Sequence, residues 1–372
     1  MNDIMRRINM RRAILIAALV VLAAATLAQA ASIEDIQRAN EERGATWTAD
    51  YNEAWYMHEY YGWYAPTLQL PALTGRENYF VPRKSPLELP TALDWRDYQG
   101  VNFVTSPKNQ YSCGSCWAFA TTGPIESHIA IAENWPDPRI DLSEQQMLSC
   151  DNSPGNMGCG GGFTTTSFEF AKSTGLFDEE CLPYHASDTW PCDDRCSDWA
   201  DRLFKIDDWQ VVSVVSNPDL IMEALQYGPL GTSLTIYEDF YAYSGGVYDT
   251  MIAIPQGFHA VTIVGYDATQ EYWICKNSWG DDWGEDGYFR IKWGAAAVGI
   301  FTIMPVYTSQ GLGPEPDDDD VTDDDDDDDA VDDDDDDDDS GTDDDDDDSG
   351  GTYDDDDDAG DDDDDNDSGG CS

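Results

Sequence analysis

Gln110 to Ala120 reads QYSCGSCWAFA, and the rest of the chain is arranged around it. Two cysteines stand three apart, with Gly114 and Ser115 between them, and an apolar run follows. The pattern predicts a tight turn feeding a helix whose first residue is Cys116. A thiol there sits at the positive end of the helix dipole, which favours the nucleophilic thiolate. Gln110 lies just upstream and brings an amide donor toward any oxygen that develops beside the sulfur. Turn, helix-start cysteine and amide donor together point to acyl transfer. The competing reading of two close cysteines is zinc or a redox dithiol. Zinc needs four ligands, and the chain has only 4 His and no second CxxC followed by a His pair. A redox site would want a preceding strand in a βαβ unit, and Pro107 to Tyr111 does not read as one.

A nucleophilic thiol needs a base, so the histidines must be sorted. His58 falls in an N-terminal segment of different character. His128 lies inside the first long helix, where a structural role is expected, and His185 in a loop rich in Pro and Asp, where solvation is expected. His259 opens the apolar run HAVTIVGY, at the mouth of a strand. A lone histidine is usually structural. This one gains weight from Asn277, in WICKNSWGDDWGEDGY, which can accept from the imidazole N–H and fix the ring's tautomer and orientation.

The order of elements sets the fold class. A helix is expected from Cys116 to near Asn134, kinked or split at Gly123-Pro124, because proline lacks the backbone donor and crowds the preceding turn. A second helix starts after Ser143, with Gln146 three residues on, and runs to Cys150. The glycine-rich stretch Gly158 to Gly162 precedes a third over Thr165 to Ser173, ended by Gly175. The period then changes. Trp209–Val215, Leu230–Ile236, His259–Tyr266, Glu271–Lys276 and Tyr288–Lys292 read as strands, with a short helix near Asp219–Tyr227. Helices early and antiparallel strands late predict an α+β protein of two lobes, helical and β-barrel-like, with the site in the cleft between them.

The stretches QYSCGSCWAF, GCGGG, FHAVTIVGY and KNSWGDDWGEDGYFRI resemble, in order and spacing, the papain family of cysteine peptidases, over Leu89 to Tyr307. The resemblance implies Cys116 as nucleophile, His259 as general base and acid, and Asn277 as its orienting partner. Gln110 and the Cys116 backbone N–H would form the oxyanion hole, and Trp279 would shield the His259–Asn277 bond. It implies peptide-bond hydrolysis through a thiolate–imidazolium pair and a thioester, with no cofactor and no metal. Gly161 and Gly162 would pair with substrate backbone, while Phe163, Thr164 and Phe258 would line an uncharged pocket suited to an apolar or aromatic side chain. The alternative for these residues is ordinary core packing. It also implies the disulfides Cys113–Cys159 and Cys150–Cys192, leaving Cys181–Cys196 as a local pair and Cys275 as a buried free thiol. Tyr111 departs from the family by replacing the glycine after the oxyanion glutamine, and Pro124 has no usual counterpart. ATWTADYNEAW, in the N-terminal segment, resembles the shorter pro-segment of cathepsin B. The paired histidines of that enzyme's occluding loop are absent, which favours endopeptidase action.

The flanks complete the organisation. Arg6, Arg7, Arg11 and Arg12 precede an apolar run to Ala28, and Ala28-Gln29-Ala30 fits a cleavage site, so 1–30 reads as a secretory signal peptide. The run is short for a membrane anchor. Residues 31–88 are rich in Trp and Tyr, carry one amphipathic helix over Ile33–Arg43 (Ile33, Ile36 and Ala39 on one face), and are too short for a core of their own. A removable pro-segment that inhibits the 89–308 peptidase domain fits, and a permanent extension is the alternative. The chain has 372 residues, 9 Cys and a formal net charge of -58, which argues for an oxidising compartment and against nucleic acid or anionic membranes as partners. Much of the charge lies in 309–372, aspartate blocks that are expected to be disordered, a spacer or a weak, diffuse calcium binder. The ending Ser368-Gly369-Gly370-Cys371 resembles the start of bacterial C-terminal sorting signals, without their apolar helix and basic stop, so either the chain is truncated or the resemblance is accidental. The expectation is a monomeric zymogen, secreted or at the cell surface, acting on proteins or peptides. The alternatives are a catalytically silent protein on this fold, or a processing domain of an acidic-tailed adhesion protein.

Overall fold

The computed structural model describes residues 32–61, 68–70, 77–83, 89–138, 140–249, 251 and 254–311. The signal-peptide and aspartate-tail readings lie outside them. Helix α1, Ile33–Arg43, forms where the sequence places it. Ser32 and Asp35 make a reciprocal capping box, and Gly44 ends the helix with φ 65°. Ile33 and Ile36 are buried, but the third buried position is Asn40 rather than Ala39, because the Asn40 amide donates to Trp47 O at 3.3 Å. Strand β1, Trp47–Ala49, and helix α2, Glu53–Tyr61, follow. β1 pairs antiparallel with the later strand Tyr243–Tyr248, Trp47 opposite Gly246. That approach requires a glycine, since a Cβ on Gly246 would fall 2.2 Å from Thr46 O. Trp47 and Trp55 are thereby buried in the same apolar cluster as the main sheet, while Tyr51 and Tyr56 remain exposed.

The next elements are strand β2, Ala92–Asp94, and helix α3, Cys116–Glu133. Every residue of α3 from Cys116 to Ala130 is buried, with Glu126 paired to Lys108 and His128 to Pro229 O. The split expected at Pro124 does not occur, and α3 runs through it as one element. The carbonyl that Pro124 leaves without its helical partner is that of Ala120, and it faces the glycine of a neighbouring strand. A Cβ on Gly231 would lie 2.5 Å from that oxygen. Helix α4, Glu144–Cys150, is capped by Ser143 Oγ, which accepts from Gln146 N at 3.1 Å. The Gln146 side chain does not return to the cap. It spans to the turn after helix α5, Thr164–Ser173, donating to Gly175 O and accepting from Phe177 N. Disulfides Cys113–Cys159, Cys150–Cys192 and Cys181–Cys196 tie these loops, each adding about 2–4 kcal/mol. Cys113 is therefore spoken for, and the CxxC dithiol and zinc readings fall.

Strand β3, Asp208–Ser213, and helix α6, Pro218–Ala224, lead into β4 (Leu230–Tyr237), β5 (Tyr243–Tyr248), β6 (Pro255–Asp267), β7 (Tyr272–Lys276), β8 (Tyr288–Lys292) and β9 (Ile300–Val306). The sheet order is β1-β5-β8-β7-β6-β4-β9-β3, with β2 also on β6. All these pairs are antiparallel except β5 with β8. β6 begins four residues earlier than its apolar run, at Pro255, because Gly257 and Pro255 pair with Ile236 and Tyr237. His259 is therefore inside a strand, not at its mouth. Two apolar clusters result, one around β4 to β8 and one around α3 to α5 with β3. These are the cores of two lobes. No helix among the described residues is long and apolar enough to cross a membrane.

Candidate functional site

The site lies where the start of α3 meets β6. Cys116 is the first residue of α3 and is 1% exposed. Backbone N–H groups of Ala260, Trp117 and Cys116 itself face its sulfur closely enough to favour its thiolate. Ala260 follows His259 along β6 and shares a buried cluster with Cys116, so the nucleophile candidate and the base candidate, distant in sequence, are brought to the same place by α3 and β6. His259 Nε2 lies 2.8 Å from Asn277 Oδ1, an oxygen that also accepts from Ser278 N at 2.9 Å. Because that oxygen only accepts, Nε2 carries the proton. In the neutral ring Nδ1 is then left as the proton acceptor. Trp279 lies against the imidazole, ring centroids 5.0 Å apart, and is itself stacked on Tyr241.

Gln110 is positioned from both ends. Its N–H donates to Ser278 O at 2.8 Å, and its side-chain Oε1 accepts from Ser278 Oγ at 2.6 Å. That second bond decides which way the amide faces, and Nε2 turns toward Cys113 O, 2.8 Å away. Tyr111, next in the chain, takes the left-handed conformation (φ 50°), where the family's usual glycine would sit without strain. Asn109 Oδ1 accepts from its N–H at 2.8 Å, holding the turn.

Burial governs the protonation of the pair. It pushes the Cys116 thiol up to about 11, against the three backbone donors that favour the thiolate. It pushes His259 down to about 4, against the bond to Asn277, which favours the cation. In this covered site desolvation thus opposes the preference for the thiolate that the helix start confers. The cover is identifiable. Leu68 of the N-terminal segment is buried in the cluster containing Cys116, Trp117 and Ala260. Its N–H donates to Phe258 O, and that of Gln69 donates to Gly162 O, both at 3.3 Å.

The segment therefore occupies residues that the sequence assigns to substrate. Gly162 lies flat on Trp117, with no room for a Cβ, which would sit 2.7 Å from the indole. Gly161 has φ 111°. Phe163 is half-buried and its N–H donates to Asn156 Oδ1, Phe258 is half-buried, and Thr164 is buried at the start of α5. The other histidines do not enter. His128 bonds Pro229 O at 3.1 Å, exposed His185 stacks on Trp190, and His58 stacks on Tyr241.

Three features escaped the sequence reading. Ser278 orients Gln110, and its only signal was its place after Asn277. Tyr184 touches both Gln110 and Ser115, and no local pattern marks it. Beneath Asn277 lies a buried charge cluster: Lys108 bridges Glu126, Glu144 and Asp141, while Lys276 donates to Thr105 at 2.7 Å. Desolvation lowers Lys276 to about 8, chiefly against Glu126.

Comparison with known proteins follows the same residues. The family model described as papain family cysteine protease matches residues 89–308. The chain is 36% identical over 225 residues to a cathepsin B-like protein, CP3, of Giardia intestinalis, covering 58% of this chain and 74% of that one. It is 37% identical over 219 residues to mouse (Mus musculus) pro-cathepsin H, covering 57% of this chain and 62% of that one, less than two thirds of its length. Among solved structures, digestive procathepsin L 3 of Tenebrio molitor larval midgut superposes with a TM-score of 0.61 at 28% identity, over 73% of this chain and 86% of that one. A procathepsin B of Trypanosoma congolense matches in fold, TM-score 0.61 at 22% identity, over 74% of this chain and 99% of that one.

Proposed function

The chain belongs to the papain family of cysteine proteases, and from that premise we propose that it is a secreted endopeptidase made as a zymogen, with Cys116, His259, Asn277 and Gln110 as its catalytic set. The observation that carries this reading is the meeting of α3 and β6. Ala260 is buried in one cluster with Cys116 and its N–H favours the thiolate, while the neighbouring His259 holds its Nε2 proton on Asn277, leaving Nδ1 for the thiol.

The steps follow from those atoms. Nδ1 of His259 takes the thiol proton, and the thiolate bonds to the peptide carbonyl carbon. The carbonyl electron pair moves to oxygen, where Gln110 Nε2 and the Cys116 N–H receive it. On collapse the C–N bond breaks, His259 gives its proton to the departing amine, and a thioester remains. Water, deprotonated by His259, attacks that thioester, and the carboxylate leaves as the thiol re-forms. Removing the cover of Leu68 and Gln69 admits water to the pair. That relieves the burial that holds the thiol up and the imidazole down, and frees Gly162 and Phe258 for substrate. Residues 31–88 are thus the inhibitory pro-segment, 1–30 the signal peptide, and 309–372 an acidic stalk. An apolar or aromatic side chain beside Phe163 and Phe258 is the preferred substrate feature, and the enzyme works as a monomer.

The test is an active-site thiol probe and a peptide-library digest on activated protein. Labelling at Cys116 and cleavage at internal bonds, both lost in Cys116→Ala, are expected. Full cleavage by Cys116→Ala, or none by the activated parent, refutes the reading.

A further inference from the structure

We propose that Tyr184 is a positioning residue that sets the gap between the two oxyanion donors, a role that rests on the catalytic assignment above. Its hydroxyl lies 3.0 Å from Gln110 O and 2.6 Å from Ser115 Oγ. A carbonyl only accepts, so the phenol gives its one proton to Gln110 O, and the Ser115 hydroxyl must donate to the phenol. One atom is thereby fastened to both residues that matter. Gln110 supplies the side-chain donor, and Ser115 contributes the carbonyl half of the peptide whose N–H belongs to Cys116. Ser115 makes no side-chain cap bond to α3, so its hydroxyl is committed to Tyr184 instead.

The phenol is itself braced. Its ring meets Phe119, one turn into α3, edge-on at 5.0 Å and 75°. Its N–H donates to Glu179 Oε1 at 2.5 Å, and the next N–H, of His185, donates to Gln145 Oε1 at 2.9 Å. The Cys181–Cys196 disulfide closes the loop just before it. The strut therefore transmits the rigidity of α4 and a cross-linked loop to two donors that come from a turn and a helix end. Tyr184 bonds neither the thiol nor the imidazole. Its effect should appear only when an oxygen carrying charge occupies the hole.

The experiment uses activated enzyme carrying Tyr184→Phe, with three readings on each protein. These are kcat and KM on one peptide, affinity for a peptide aldehyde, and the rate of Cys116 alkylation by iodoacetamide. The aldehyde adds the thiol across its carbonyl, so its oxygen enters the hole. Alkylation displaces iodide at a saturated carbon and needs no hole. The expected result is a fall in kcat of about 10–100-fold, a similar loss of aldehyde affinity, and KM and alkylation changed by less than about threefold. Ser115→Ala, which deletes one of the two bonds, should give the same pattern at smaller size and carries the test should Tyr184→Phe not fold. Kinetics equal to the parent, or a parallel fall in alkylation and thermal midpoint, overturns the proposal. Turnover by the parent that depends on Cys116 shows that such a failure is Tyr184's alone.

Discussion

Replacing Trp47 by Ala should unseat the N-terminal segment without touching the peptidase lobes. Trp47 is 2% exposed, its ring 4.9 Å from that of Tyr248 and stacked 6.4 Å from that of Tyr243. Truncating a buried Trp costs about 3–5 kcal/mol, the lost transfer energy plus the cavity left behind. At 1.4 kcal/mol per decade, the docking equilibrium of the segment shifts by about two to three and a half decades. Because Leu68 and Gln69 cover Cys116 only while the segment is seated, that shift reads out as access to the thiol. The assay is site-resolved mass spectrometry of Cys116 alkylation in unprocessed chains, with intact mass confirming that residues 31–88 are still attached. Glu42→Ala, exposed on α1, is the control. The expected outcome is alkylation faster by about 100-fold or more in Trp47→Ala, where docking limits access. Equal rates in parent, control and Trp47→Ala would refute the link between β1 and the covered cleft.

Two further expectations concern the folded protein. Burial holds both His128 and His259 near 4, below the 6.5 of a free imidazole. The unfolded chain thus binds protons first as pH falls, and stability is full above 6.5 and lost toward 4. The loss is up to about 3 kcal/mol per histidine, measurable as a falling urea midpoint between pH 7 and 4. A midpoint flat across that window contradicts the burial of these rings. Gly231→Ala places a Cβ against Ala120 O and should cost about 1–3 kcal/mol by thermal or urea unfolding. No change would mean that α3 and β4 can part there freely.

What was legible in the sequence was what spacing alone can carry. QYSCGSCWAF gave the helix start at Cys116, Ser143 gave a cap, and the motifs around Cys116, His259 and Asn277 picked out residues carried by α3, β6 and the end of β7. The burial that opposes the charged forms of Cys116 and His259 was not legible, since a helix dipole can be read from a pattern but the packing of Leu68 into the same cluster cannot. The split expected at Pro124 as the alternative to a kink failed for a related reason. The proline's cost is local, whereas the glycine that lets the Ala120 carbonyl lie against a strand is more than a hundred residues away. β1 and β5 were missed because a three-residue strand facing Gly245-Gly246 has no alternation to detect. Tyr184 was missed because its bonds to Gln110 and Ser115 follow from tertiary placement and from no periodicity.

The N-terminal segment touches both margins of the sheet. β1 lines β5 at one end of the strand order, and at the other Asn78 O and Phe80 N bond to Val211 on the outer side of β3. Shedding that segment would bare the short β5 edge and, on β3, the amide and carbonyl of Val211, each an invitation to another chain. A protease matured this way trades dormancy for stickiness, and its lifetime would then shorten with concentration even where self-digestion is blocked.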